Sequence, residues 1–120
     1  MRRYLITGGL GFLGAALVRS LVDDGEQVVV LDDSSRGSVD RLADIADRFE
    51  LIRGDVRDAE TVARALEGID VVCHLAFVNG TRFFYQRPRD VLEIGVKGIL
   101  NVLDGCKRHG VKELSVASSS

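Results

Sequence analysis

Thr7-Gly8-Gly9-Leu10-Gly11-Phe12-Leu13-Gly14 is the stretch that decides the fold of this chain. It follows a short apolar run, Tyr4-Leu5-Ile6-Thr7. It opens a helical repeat of apolar residues at Leu13, Ala16, Leu17 and Leu21, and Gly25 stands where that helix should stop. A strand that enters a glycine turn and leaves as a helix lets backbone lie against a pyrophosphate. Gly8 permits the tight turn, Gly11 removes the side chain that would fill the anion's place, and Gly14 allows close helix–strand packing. The amides of Phe12 and Leu13, at the helix N-terminus, then face the anion with the favourable end of the helix dipole. The spacing alone is weak evidence, because a glycine-rich turn without a ligand is written in the same letters. No Gly-Lys-Ser/Thr follows, so a nucleoside-triphosphate loop is excluded.

Working outward, Val28-Val29-Val30-Leu31 is a continuous apolar run, the pattern of a strand covered on both faces. Asp32 ends it, 18 residues beyond Gly14. A carboxylate there accepts hydrogen bonds from ribose hydroxyls and repels a 2′-phosphate, which favours NAD over NADP. Capping Ser34–Ser35 is its other possible role, although Asp33 is the better turn residue. Arg36 is the one neighbour that could receive a 2′-phosphate. Beyond this the pattern predicts a weaker helix over 39–46, a strand over 49–53, and a helix over 59–66 capped by Asp58 and ended by Gly68. A strand over 69–75, a loop over 77–88, a long helix over 89–108 closed by His109-Gly110 and a strand over 113–117 complete it. Strand and helix in alternation mean an α/β fold, a doubly wound parallel sheet of five strands, and the expected order is 3-2-1-4-5. A closed barrel of eight such units would need about 200 residues or more. The ligand crevice of such a sheet lies at the switch point between the first and fourth strands.

The chain has 120 residues, enough for one domain, and its 46% apolar share suffices for one continuous core. Its 16 Lys+Arg nearly balance 18 Asp+Glu, so no strong field invites nucleic acid or an anionic membrane, and neither is expected as a partner. Cys73 and Cys106 are too few for a disulfide scaffold and read as reduced structural thiols. No apolar run approaches the roughly 18–20 residues of a membrane span, and glycines interrupt the N-terminal run too early for a signal peptide. The cytoplasm is the expected compartment. His74 and His109 lack partners at metal-ligand spacing and read as structural. The aromatic and basic stretch Thr81-Arg82-Phe83-Phe84-Tyr85-Gln86-Arg87-Pro88-Arg89 fits a loop closing over a cofactor or a substrate phosphate better than a base-stacking strip.

Four motifs in register, Gly8-x-x-Gly11-x-x-Gly14, Leu31-Asp32-Asp33, Gly54-Asp55-Val56-Arg57-Asp58 and His74-Leu75-Ala76, resemble the extended short-chain dehydrogenase/reductase family. The nearest likeness is to its NAD-dependent nucleotide-sugar epimerases and dehydratases, and it runs from Tyr4 to Ser120. The resemblance implies a Rossmann domain in which Asp55 contacts the adenine amino group and Val56 lines the same pocket. Leu75 and Ala76 would border the nicotinamide-side ribose. Ser118-Ser119-Ser120 is similar to the family's serine cluster, with Ser120 first and Ser119 second as the catalytic hydroxyl. Read from the residues alone, Asp55 is equally a loop or capping acid, and the serines a polar strand end.

Two departures stand out. The family's Tyr-x-x-x-Lys pair is absent: Tyr4 and Tyr85 are followed four residues on by Gly8 and Arg89. In Ile94-Gly95-Val96-Lys97-Gly98, Gly95 stands where the family usually carries an asparagine; close packing on the sheet would account for Gly95 and Gly98, and altered site chemistry is the other account. The expected function is therefore that of the NAD-binding N-terminal part, residues 1–120, of a nucleotide-sugar epimerase, dehydratase or decarboxylase. Such enzymes work through hydride transfer to NAD and a keto-sugar. These residues alone are expected to be inactive and to form a homodimer. A non-catalytic NAD(H)-binding sensor is the alternative.

Overall fold

Side-chain alternation along β1 (Arg3–Thr7), β2 (Gln27–Asp32) and β4 (Val71–His74) divides the interior into two layers. Tyr4, Ile6, Val28, Val30 and Val71 point to one face, and Leu5, Val29, Leu31 and Val72 to the other, as the period of two requires. The computed structural model describes residues 2–33, 39–76 and 88–116. With β3 (Glu50–Arg53) and β5 (Glu113–Val116), the strands form one sheet in the order β3-β2-β1-β4-β5, every pairing parallel. Fold class and strand order are those expected.

The first face is covered by α1 (Phe12–Asp23) and by a 3₁₀ segment, Val39–Arg48. Two corrections to the sequence reading arise here. The buried side of α1 is Gly14, Ala15, Val18 and Val22, whereas Leu13 and Ala16 point outward. Gly14 is the reason. A Cβ there would strike the Gly8 carbonyl oxygen and come within 2.8 Å of the Gly9 Cα, so its bare backbone seats this side of the helix on the turn. The predicted helix over 39–46 is instead a run of short turns, broken at Leu42 and Ile45, where φ is near −120°. Those two residues are buried and three apart, the spacing that a 3₁₀ turn stacks on one face.

The second face is covered by α2 (Ala59–Ala65) and α3 (Pro88–His109), around Val62, Leu66 and Val102. Asp58 caps α2 as expected, its Oδ1 accepting from the amides of Glu60 at 3.1 Å and Thr61 at 3.4 Å. The approach of α3 separates the two glycines that the sequence groups together. A Cβ on Gly98 would lie 2.8 Å from Val56 Cγ2, so close packing explains Gly98; at Gly95 a Cβ would meet no atom of the described residues within 4 Å, and packing among them does not explain it.

Candidate functional site: a crevice at the carboxyl ends of the strands

Parallel register brings the ends of β1, β2 and β4 into one row, Thr7 beside Leu31 on one side and His74 on the other. The glycine turn leaves this row from β1. Gly8 has φ +73°, a backbone conformation that L side chains rarely adopt, and a Cβ there would also lie 2.9 Å from the Leu75 carbonyl carbon. The turn is thus held against the end of β4, and Gly8 N–H donates to Leu31 O at 2.8 Å on the other side. Gly11 is different: among the described residues an added Cβ would meet only the Gly8 carbonyl oxygen, at 3.4 Å. Gly11 heads α1 without any side-chain cap, so the first-turn amides of Phe12, Leu13 and Gly14 keep the donor capacity that a helix N-terminus offers an anion. Phe12 is 85% exposed and Leu13 62%, so both side chains stand clear of the packed side of the helix.

Asp32 is buried at the end of β2, where its Oδ2 accepts the Leu10 amide at 3.0 Å. That bond folds the middle of the glycine turn over the carboxylate. The Leu10 carbonyl in turn accepts Arg41 Nη1 at 3.0 Å. Gly54 N–H donates to Asp32 O at 3.1 Å, which sets the turn carrying Asp55 and Val56 beside it. Asp55 is held by Arg57, whose Nε lies 3.0 Å from both carboxylate oxygens and whose Nη2 lies 2.6 Å from Oδ2. The guanidinium holds the Asp55 carboxyl below its ordinary range, against an opposing push from burial. The Val56 side chain is 5% exposed and seated on Gly98. Its carbonyl accepts Asn101 Nδ2 at 2.9 Å, tying this turn to α3.

On the β4 side, the Thr7 hydroxyl accepts the amides of Leu75 at 2.9 Å and Ala76 at 3.2 Å. With both lone pairs engaged, its proton goes to His74 Nδ1, 2.7 Å away. Burial pushes His74 down to about 4, so the ring is neutral near pH 7 and carries its proton on Nε2. Through the Thr7 hydroxyl, His74 is tied to the backbone of Leu75 and Ala76. Burial also raises the thiols of Cys73 and Cys106, which keeps them protonated and unreactive.

The row therefore brings together Gly8, Gly11, Phe12, Leu13, Gly14, Asp32, Leu75 and Ala76, with Asp55 one strand further out. Ser119 and Ser120, the capping partners Ser34–Ser35, Arg36 and the aromatic-basic stretch 81–87 lie outside the described residues. Sequence reasoning missed Thr7, Leu10, Arg41, Arg57 and Asn101. Only Arg57 carried a local signal, two residues from Asp55.

Strand order, switch point and glycine turn define a dinucleotide-binding domain of the Rossmann type. Residues 4–120 match the NAD dependent epimerase/dehydratase family, and the chain belongs to it. A dTDP-glucose 4,6-dehydratase of Mycobacterium tuberculosis is 35% identical over 113 residues, 92% of this chain and 34% of that protein. DesIV, the dTDP-glucose 4,6-dehydratase of Streptomyces venezuelae solved with NAD and TYD bound, superposes with a TM-score of 0.87 at 30% identity, over 93% of this chain and 38% of that one. The UDP-glucose 4-epimerase of Thermus thermophilus in complex with NAD gives 0.85 at 32%, over 93% and 36%. The chain thus spans about a third of the length of these relatives. NAD is the cofactor of the family, and the glycine turn with its uncapped helix fits it.

Proposed function

We propose that these 120 residues are the NAD-binding N-terminal part of a cytoplasmic nucleotide-sugar epimerase or dehydratase. The observation that carries the reading is the pairing of an open, uncapped α1 N-terminus at Gly11 with the Asp32 carboxylate held beneath it by Leu10 N–H. In this reading the amides of Phe12 and Leu13 bind the pyrophosphate, and Gly8 and Gly14 hold the turn in shape. Asp32 accepts from the adenosine ribose, Asp55 accepts from the adenine amino group, and Leu75 and Ala76 border the second ribose. NAD bound there supplies reversible hydride exchange with a sugar carbon. Ser120, or Ser119 beside it, offers one hydroxyl to the sugar. A Tyr-x-x-x-Lys base is absent from these residues, so they bind the cofactor without turning a nucleotide sugar over.

Calorimetry with both dinucleotides tests this. NAD binds at least about tenfold more tightly than NADP, about 1.4 kcal/mol, and Asp32→Ala weakens NAD and narrows the gap. NAD carried by the chain stays oxidised when UDP- or dTDP-sugars are added. Equal or tighter binding of NADP would sink the assignment of Asp32.

A further inference from the structure

We propose that Arg57 is a positioning residue for base recognition, one that orients the Asp55 carboxylate toward an amino donor and against a carbonyl. The inference rests on the reading above that Asp55 meets adenine. An ionised carboxylate offers about four acceptor positions and no donor. Arg57 brings two donors to each oxygen from one side: its backbone N–H at 2.8 Å from Oδ1, its Nε shared between the two oxygens at 3.0 Å, and its Nη2 at 2.6 Å from Oδ2. The side chains of Asp55 and Arg57 are each 31% exposed, so the pair is sheltered enough to hold its geometry and open enough to be approached. Arg57 is itself braced from α3, where Glu93 Oε2 lies 3.5 Å from Nη1 and Arg89 Nε lies 3.4 Å from the other oxygen of Glu93. A 6-amino group that approaches the exposed part of this carboxylate meets an acceptor. A 6-oxo group would set a carbonyl oxygen against a carboxylate that the guanidinium keeps ionised.

The test compares NAD with nicotinamide hypoxanthine dinucleotide, its 6-oxo analogue, by calorimetry on the wild-type chain and on Asp55→Asn, Arg57→Met and Arg57→Lys. The wild type prefers NAD by about tenfold or more, because the analogue sets an acceptor where adenine has its 6-amino donor and leaves the carboxylate there unpaired. Asp55→Asn brings the ratio near one, and Arg57→Met brings it to within about threefold although Asp55 is intact. Arg57→Lys keeps the charge without the fork and lowers the ratio too, which serves if the methionine variant does not fold. An arginine with only a structural role would weaken both dinucleotides by one factor and leave their ratio unchanged. A wild-type ratio retained in the Arg57 variants, while Asp55→Asn abolishes it, overturns this inference alone. A wild type that binds the two equally, or binds neither, overturns the adenine reading and this inference with it.

Discussion

Gly11 and Gly14 stand three residues apart in one turn and do opposite work. Among the described residues, a Cβ on Gly11 would meet only the Gly8 carbonyl oxygen, at 3.4 Å, and Gly14 has backbone pressed against it. Gly11→Val therefore leaves the circular dichroism spectrum near wild type but abolishes the rise in melting temperature that NAD produces. Gly14→Ala destabilises the fold itself by about 1–3 kcal/mol, since backbone must move to admit the methyl group. Persistence of NAD stabilisation in Gly11→Val would show that the glycine turn is not the phosphate site. Both glycines were legible in the sequence. The sequence also assigned them these different tasks, and the structure adds which backbone atoms press on Gly14.

Among the elements, α3 holds the clearest contrast. It crosses the second face with Gly98 against Val56 and Gly105 against Leu66, while a Cβ on Gly95 would meet none of the described residues. A glycine inside a helix costs roughly 0.5–1 kcal/mol relative to alanine. Gly95→Ala recovers that amount and raises the melting temperature, whereas Gly98→Ala lowers it, as the new methyl group must displace Val56 Cγ2 from 2.8 Å. A fall in stability with Gly95→Ala would mean that the position is packed after all. The 3₁₀ segment teaches the converse lesson. Leu42 and Ile45 are compatible with either a helix or tighter turns, and only the pocket under α1 selects between them.

For the whole molecule, the outer side of α3 matters most. Val96, Leu100 and Leu103 are 54%, 52% and 47% exposed at helical spacing, and Val116 on β5 is 45% exposed. Such a stripe of apolar side chains favours burial against another surface, and a second copy of the chain is the partner we propose. Sedimentation of the isolated chain reads this directly. The wild type forms dimers that dissociate on dilution, and Leu100→Lys is monomeric with an unchanged circular dichroism spectrum. A wild type that remains monomeric at every concentration refutes the proposal.

The sequence alone determined that strands alternate with covering segments in a parallel sheet, because a period of two and a period of 3.6 are local properties; packing decided that residues 39–48 are 3₁₀ turns and which face α1 buries. The cofactor turn was equally local, glycines and an acid within one strand–helix–strand unit. Tertiary structure decided what depends on distant residues meeting. Thr7 reaches His74 across 67 positions, and that bond sets the end of β4 beside the glycine turn. Val56 became core because Gly98 of α3 lies on it, and Gly54 joined the Asp55 turn to the end of β2. No periodicity encodes such contacts; they follow from close packing, which fixes positions only once both faces of the sheet are covered.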